Sequence, residues 1–324
     1  MGALFLLLGG GVLLYFGAQW LVGGSSSLAL ALRVPPLIVG LTVVAYGTST
    51  PEIVVSVKAA LSGHADVALG NVIGSNIANV GLILGLAALV APARVDRALS
   101  RRELPVLLVS ALAVPLLLLD GVIAAWEGAL LLLSGVAYTA WMVHSARTES
   151  LKQALSDVAA EEEAADAAGA PEQQRGWKRA AATALAGLAA LVVGGSLFVD
   201  GAVLAAKALG LSERLIGLTI VAVGTSLPEL VTSLLAARRG HSDLAIGNVV
   251  GSNIFNVLLC LGAAGLSGTV KGEPTALWFD LAALLVMTAL AAFLIRDERV
   301  INRAEGGVAL TLFVGFVALS VARG

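Results

Sequence analysis

"GTSTPE" occupies residues 47–52 and "GTSLPE" residues 224–229, each inside a long apolar run. Sliding the chain against itself by 177 residues extends the match. "GTSTPEIVVSVKAALSGHADVALGNVIGSNIANVGLILG" (47–85) falls on "GTSLPELVTSLLAARRGHSDLAIGNVVGSNIFNVLLCLG" (224–262), with 25 identities in 39 positions. The chain is an internal duplication, and both copies interrupt an oily segment with the same proline, hydroxyls and carboxylate.

The surroundings belong in lipid. Of 324 residues 58% are hydrophobic and 13% charged, against about 25% charged in a soluble domain. Crossing the hydrocarbon core takes about 20 apolar residues per helix. Runs of that kind cover 2–24, 35–62, 66–91, 103–119 and 122–145, then 179–201, 212–237, 243–266, 275–295 and 304–322. Backbone polar groups in lipid must be satisfied within a segment or in a closed barrel, and the alternating pattern of barrel strands is absent. The expected fold is therefore an all-α membrane protein with ten transmembrane helices. Its first run, lacking a basic start and too long for a signal peptide's apolar region, is read as a retained helix.

Five spans separate equivalent points of the two copies, and an odd number makes the second copy enter the membrane from the opposite side. Two inverted five-helix repeats result, 1–145 and 179–324, an arrangement from which many secondary transporters are built. If loops alternate sides, fifteen of the twenty Lys and Arg residues fall on one side. That bias puts both termini outside the cytoplasm and the 146–178 connection inside it. The connection is acidic and Ala-rich, read as a solvated linker with room for one helix; a regulatory cation site at Glu161, Glu162 and Glu163 is the alternative. Cys260 is the only cysteine, which excludes an intrachain disulfide. There is no nucleophile and base pair, phosphate loop or soluble domain to suggest an enzyme.

Proline lacks an N–H and its ring clashes with the carbonyl four residues back. The second helix is thus expected to open at Gly47, before Pro51, and the seventh at Gly224, before Pro228. Broken helices at membrane depth expose carbonyl oxygens and hold ions in transporters. Glu52 and Glu229 add charge, and an ionised carboxylate at the bilayer centre costs about 2.5–3.5 kcal/mol even on gentle scales. A cation neutralises it; a protonated, hydrogen-bonded pair would be the structural alternative. Thr48 and Thr225 each precede a glutamate by four residues and can share its face. Hard cations want such ligands, calcium taking roughly six to eight oxygens.

The next helix of each copy carries Asn71, Ser75 and Asn79, or Asn248, Ser252 and Asn256, at i, i+4, i+8. One polar stripe per helix facing a broken helix makes an oxygen-lined cavity. Asn and Ser also join membrane helices, and Gly70 with Gly74 and Gly247 with Gly251 form close-packing pairs. Beside the glutamates, Ser75, Asn79, Ser252 and Asn256 are expected to touch ions, with Asn71, Asn76, Asn248 and Asn253 bracing the cavity. "HAD" (64–66) and "HSD" (241–243) look like metal ligands, but inversion separates them across the membrane, so Asp66 and Asp243 are read as helix N-caps.

The two motif segments resemble the paired alpha-repeats of the calcium/cation antiporter superfamily, in its prokaryotic sodium/calcium exchanger branch. The resemblance implies a central calcium site and flanking sodium sites between the second, third, seventh and eighth helices, in a prokaryotic inner membrane. By motif position it assigns Glu52, Glu229, Thr48 and Thr225 to Ca²⁺. It gives Ser49, Ser226, Ser75 and Ser252 to Na⁺, with the carbonyls of Ala45 and Ala222, and sets Asn79 and Asn256 at a middle position. Several relatives have an aspartate where this chain has Asn256. Two carboxylates balance one Ca²⁺ or two Na⁺, which leaves stoichiometry open. The expected function is Na⁺/Ca²⁺ antiport by alternating access, with no cofactor and Ca²⁺, Na⁺ and the bilayer as partners. A proton-driven Ca²⁺ antiporter is the nearest rival and a cation channel a remoter one. The glycine-rich first and sixth helices, at 9–11 and 194–195, are the expected sliding elements.

Overall fold

The computed structural model describes residues 2–32, 34–97, 99–163, 176–209, 222–272, 274–296 and 300–323. The fold is helical, with four two-residue strands. In chain order the helices are α1 (Gly2–Leu32), α2 (Pro36–Thr48), α3 (Thr50–Leu61), α4 (65–90), α5 (99–117), α6 (Ala125–Glu163) and α7 (Trp177–Ala208). Then come α8 (Ala222–Thr225), α9 (Leu227–Arg238), α10 (Ser242–Ser267), α11 (Pro274–Ile295) and α12 (Arg303–Arg323). Among the described residues seven helices are long and apolar enough to cross a bilayer, and the bent pair α2–α3 makes an eighth. The α-helical part of α5, Leu104–Leu117, has 14 residues, and α9 has 12. The first part of the expected seventh span, 212–221, lies outside the described residues.

Burial separates a centre from a periphery. The apolar windows of α4 and α10 are 78% and 89% buried, whereas those of α1, α6, α7, α11 and α12 are between 17% and 39% buried. The two duplicated motif helices form the middle of the bundle, and the others turn apolar side chains such as Phe5, Leu119, Leu133 and Val314 outward. That pattern suits lipid, where an exposed leucine carries no penalty.

On one flank α1 and α7 pack tightly and antiparallel. An ideal Cβ on Gly10 would meet Phe198 N at 2.6 Å, one on Gly17 Leu191 N at 2.8 Å, and one on Gly24 Ala184 N at 2.5 Å. From α7, Gly187, Gly194 and Gly201 approach Leu21, Leu14 and Leu7 backbone in return. Small residues at such crossings let backbones approach where lipid offers no hydrophobic drive. The strands tie loops together: β1 (Ala93–Arg94) pairs antiparallel with β4 (Val300–Ile301), and β2 (Val122–Ile123) with β3 (Val270–Lys271).

Two sequence expectations shift. The helix breaks lie at Ser49 and Ser226, not at Gly47 and Gly224. Pro51 and Pro228 sit in the first turn of α3 and α9, where a missing N–H costs nothing. The chain accommodates the ring by a single non-helical residue, with φ −81° and ψ 2° at Ser49 and φ −87° and ψ 9° at Ser226. Gly47 stays helical; a Cβ there would strike Leu188 of α7 at 2.7 Å, so packing explains it.

The N-cap positions of α4 and α10 belong to His64 and His241, neither capping through its side chain, and Asp66 and Asp243 lie inside the first turn. Gly63 (φ 76°) and Gly240 (φ 79°) end the preceding helices in the left-handed region. His64 N then bonds Ala59 O at 2.9 Å and His241 N bonds Ala236 O at 2.9 Å, which delivers the chain straight into the next helix. Asp243 still suits the positive end of the helix dipole.

The expected linker begins as a direct continuation of α6, which runs unbroken to Glu163. Residues 164–175, and the side chains of Glu161, Glu162 and Glu163, lie outside the described residues.

Candidate cation site

Ser49 ends α2 and starts α3: its N–H donates to Ala45 O at 3.0 Å, and its carbonyl accepts Ile53 N–H at 3.2 Å. Ser226 holds the same place, accepting Leu230 N–H at 3.0 Å. The bends aim the two serines across the bundle. Ser49 Oγ donates to Glu229 Oε1 at 3.2 Å, and Ser226 Oγ donates to Glu52 Oε1 at 3.2 Å. Each half thus supplies the hydroxyl for the other half's carboxylate. Both glutamates are 1% exposed. Among the described residues no lysine, arginine or histidine pairs with either one.

The motif helices α4 and α10 close the cavity. Asn71 Nδ2 donates to Ser56 Oγ at 2.9 Å and Glu52 O at 3.2 Å; Asn248 Nδ2 donates to Ser233 Oγ at 2.9 Å and Glu229 O at 3.5 Å. These amides staple each broken helix to its neighbour. Their oxygens face the other half: Thr48 Oγ1 lies 3.1 Å from Asn248 Oδ1, and Thr225 Oγ1 lies 3.4 Å from Asn71 Oδ1. Thr48 Oγ1 is also 3.0 Å from Val44 O, and its one proton serves a single acceptor at a time. Thr48 thus reaches Asn248 and stands within hydrogen-bonding reach of the opposite half's Glu229, and Thr225 reaches Asn71.

One level deeper four asparagines meet. Asn79 Nδ2 donates to Asn253 Oδ1 at 2.9 Å, Asn256 Nδ2 to Asn76 Oδ1 at 3.0 Å, and Asn253 Nδ2 to Asn76 O at 3.4 Å. Asn79 and Asn256 each open a π-helical turn, Asn79–Leu84 and Asn256–Leu261; such turns are frequent at functional sites. Ser75 Oγ lies 3.3 Å from Ser226 Oγ and, with the Ser226 proton on Glu52, is the donor of that pair, while Ser252 is fully buried. Ala45 O keeps one lone pair beyond its bond to Ser49, and Ala222 opens α8.

Four oxygens in this region are buried without a hydrogen-bond partner: Glu52 Oε2, Glu229 Oε2, Asn79 Oδ1 and Ser252 Oγ. Buried polar atoms are normally satisfied. Two of the four orphans are carboxylate oxygens, and all four are oxygens of the kind a hard cation takes. Among the described residues no three His, Cys, Asp or Glu are grouped so as to hold a metal, and two of the four orphan oxygens are neutral. Sequence reading missed Ser56 and Ser233, although each stands four residues after its glutamate in both copies. It also gave Cys260 no role, whereas Cys260 Sγ lies 3.5 Å from Asn256 Oδ1.

Apolar helices long enough to span a bilayer, two helix breaks and a buried polar centre with two acids are the features of a membrane transport protein. The comparisons name the family. The model of the sodium/calcium exchanger protein family matches residues 2–144 and 179–322, and the chain belongs to that family. It is 39% identical over 323 residues to the putative antiporter CaxA of Alkalimonas amylolytica, covering 97% of each chain. It is 32% identical over 339 residues to the sodium/calcium exchanger MaX1 of Methanosarcina acetivorans, again covering 97% of each. A solved structure of the sodium-calcium exchanger NCX_Mj, soaked with Na⁺ and Sr²⁺, superimposes with a TM-score of 0.83 at 32% identity, covering 98% of both chains.

Proposed function

We propose that this protein is a secondary antiporter that exchanges Na⁺ for Ca²⁺ across a prokaryotic inner membrane by alternating access. Glu52 and Glu229 hold Ca²⁺ with Thr48 and Thr225. Na⁺ takes positions bounded by Ser49, Ser226, Ser75, Ser252 and the carbonyls of Ala45 and Ala222, with Asn79 and Asn256 between. The observation that carries the proposal is the pair of buried carboxylates, each with one oxygen bonded by the opposite half's serine and one left unpartnered. Two such charges in a dry interior are tolerable only when cations or protons balance them. Ca²⁺ and Na⁺ compete for the same two charges, so loading one expels the other. No cofactor is required.

The architecture proposed with it is ten spans in two inverted repeats, with the termini outside the cytoplasm. Antiparallel packing of α1 against α7 supports inversion, because these helices hold equivalent places in the two copies. The strand pairs support alternation of loops: 93–94 with 300–301 on one side, 122–123 with 270–271 on the other. The excess of Lys and Arg assigns the first of those sides to the cytoplasm. Uptake of radioactive calcium into proteoliposomes tests the coupling. An outward Na⁺ gradient is expected to drive uptake, and uptake that ignores Na⁺ but follows ΔpH would assign the scaffold to proton exchange.

A further inference from the structure

We propose that the Cys260 thiol is a positioning residue that locks the Asn256 amide, so that the two halves are unequal and Asn79 alone gives an amide oxygen to the bound cation. The inference rests on the reading of the cavity as the cation site, and it concerns how that site departs from the symmetry of the repeat.

Asn79 and Asn256 are equivalent positions, both 1% exposed, both opening a π turn. Their oxygens differ. Asn79 donates Nδ2 to Asn253 and its Oδ1 is buried with no partner. Asn256 donates Nδ2 to Asn76 Oδ1 at 3.0 Å and receives the Cys260 S–H on Oδ1 at 3.5 Å. Turning the Asn256 amide over would set its oxygen against Asn76 Oδ1 and its NH₂ against the thiol, losing the stronger bond. The orientation is fixed by the network.

The cause lies in one substitution between the copies. Cys260 stands one helical turn after Asn256, and the residue at the same place after Asn79 is Ile83, which has no proton to donate. Cys260 is 0% exposed, so its S–H has no water to turn to. A thiol is a weak donor, but its bond takes one of the two lone pairs of Asn256 Oδ1 and holds that oxygen toward Cys260, whereas both lone pairs of Asn79 Oδ1 stay free. The hydroxyls are unequal in the opposite sense: Ser252 Oγ, in the second copy, is unpartnered, while its counterpart Ser75 in the first is bonded to Ser226. The free oxygens of the pocket are thus Asn79 and Ser252 with the two glutamates, a lopsided set in a duplicated frame.

The test uses the full chain in proteoliposomes together with infrared spectroscopy. Asn79→Ala is expected to raise the KM for Ca²⁺ about tenfold, and Asn256→Ala to raise it by a smaller factor. Cys260→Ala removes the donor without adding bulk and frees the Asn256 oxygen, so Asn79→Ala in that background loses less than in the wild type. Cys260→Ser keeps a donor and behaves as the wild type. Cys260 is the only cysteine, so the single S–H stretching band reports it directly. That band is expected at the lower wavenumber of a hydrogen-bonded thiol, rising in Asn256→Ala and standing still when Ca²⁺ binds. Equal KM effects of the two asparagine variants, or an S–H band indifferent to Asn256→Ala, overturn the proposal. Exchange that survives loss of Glu52 or Glu229 would instead remove the cation site, a separate outcome that the infrared band does not depend on.

Discussion

Ser226 donates its hydroxyl to Glu52 across 174 residues of sequence, at 3.2 Å, and the inverted counterpart, Ser49 to Glu229, has the same length. The break residue of each half is thereby part of the other half's acid. Each broken helix is tied in this way to the opposing carboxylate, so that a cation held as proposed would bear on both copies.

The first prediction concerns the acids. Glu52→Gln and Glu229→Gln each keep an oxygen to accept the serine bond but remove one charge. Breaking a buried charge pairing costs about 3–5 kcal/mol, so exchange is expected to fall more than about a hundredfold in a protein that still elutes as a folded species. Radioactive calcium uptake with size-exclusion chromatography checks both halves of the statement, and near-normal uptake by either variant refutes the assignment.

The second follows from the crossed serines. Ser49→Ala and Ser226→Ala strip a hydrogen bond from a charged group, worth about 1.5–3 kcal/mol. Each is expected to weaken Na⁺ activation by about tenfold or more at unchanged expression. Na⁺ titration of calcium release measures it; a pure loss of folded protein would make these serines packing residues only.

Asn248 and Asn71 do the same stapling work in unequal surroundings. Asn248 is fully buried and Asn71 only partly so. Asn248→Ala leaves Ser233 and the Glu229 carbonyl without water to replace their partner, and should cost about 1–3 kcal/mol. Asn71→Ala should cost less, because solvent can compensate. Thermal unfolding in detergent ranks the two, and the opposite order would contradict the burial argument.

How far the site could be read in advance depends on how local its cause is. Pro51 and Glu52, repeated as Pro228 and Glu229, announce a polar break in lipid by residue type alone. The exact residue that absorbs the proline could not be read so easily: Gly47 looks like a hinge, but its lack of a side chain makes room for Leu188. Likewise Asp66 and Asp243 have the composition of caps, while the left-handed glycines before them shift the helix start. The π turns at 79–84 and 256–261 have no sequence signature. The different fates of Asn79 and Asn256 become visible only when each amide's partners are known, since the deciding residue is four positions away.

The last prediction tests the α1–α7 seam, whose glycines the sequence offered as sliding elements. Gly187 admits no side chain: an ideal Cβ would stand 2.3 Å from Leu21 N and 2.6 Å from Gly17 O. Backbone cannot step aside as a flexible side chain can, so Gly187→Ala must push the two helices apart along their length, an overpacking that costs about 1–3 kcal/mol. Gly9 and Gly11, on the same helix as the tight contacts of Gly10, have nothing within 4 Å of an added Cβ. Gly9→Ala and Gly11→Ala are therefore expected to transport and melt like the wild type. If the seam only holds the bundle together, Gly187→Ala lowers the melting temperature and leaves KM and kcat of the surviving protein unchanged. If α1 and α7 travel together against the motif helices, spreading them alters kcat with KM for Ca²⁺ preserved, because the proposed ligands sit on α2, α3, α4, α8, α9 and α10. The second outcome is expected: the glycines bind α1 to α7 as one body, and the bends at Ser49 and Ser226 are where that body can shift against the cavity.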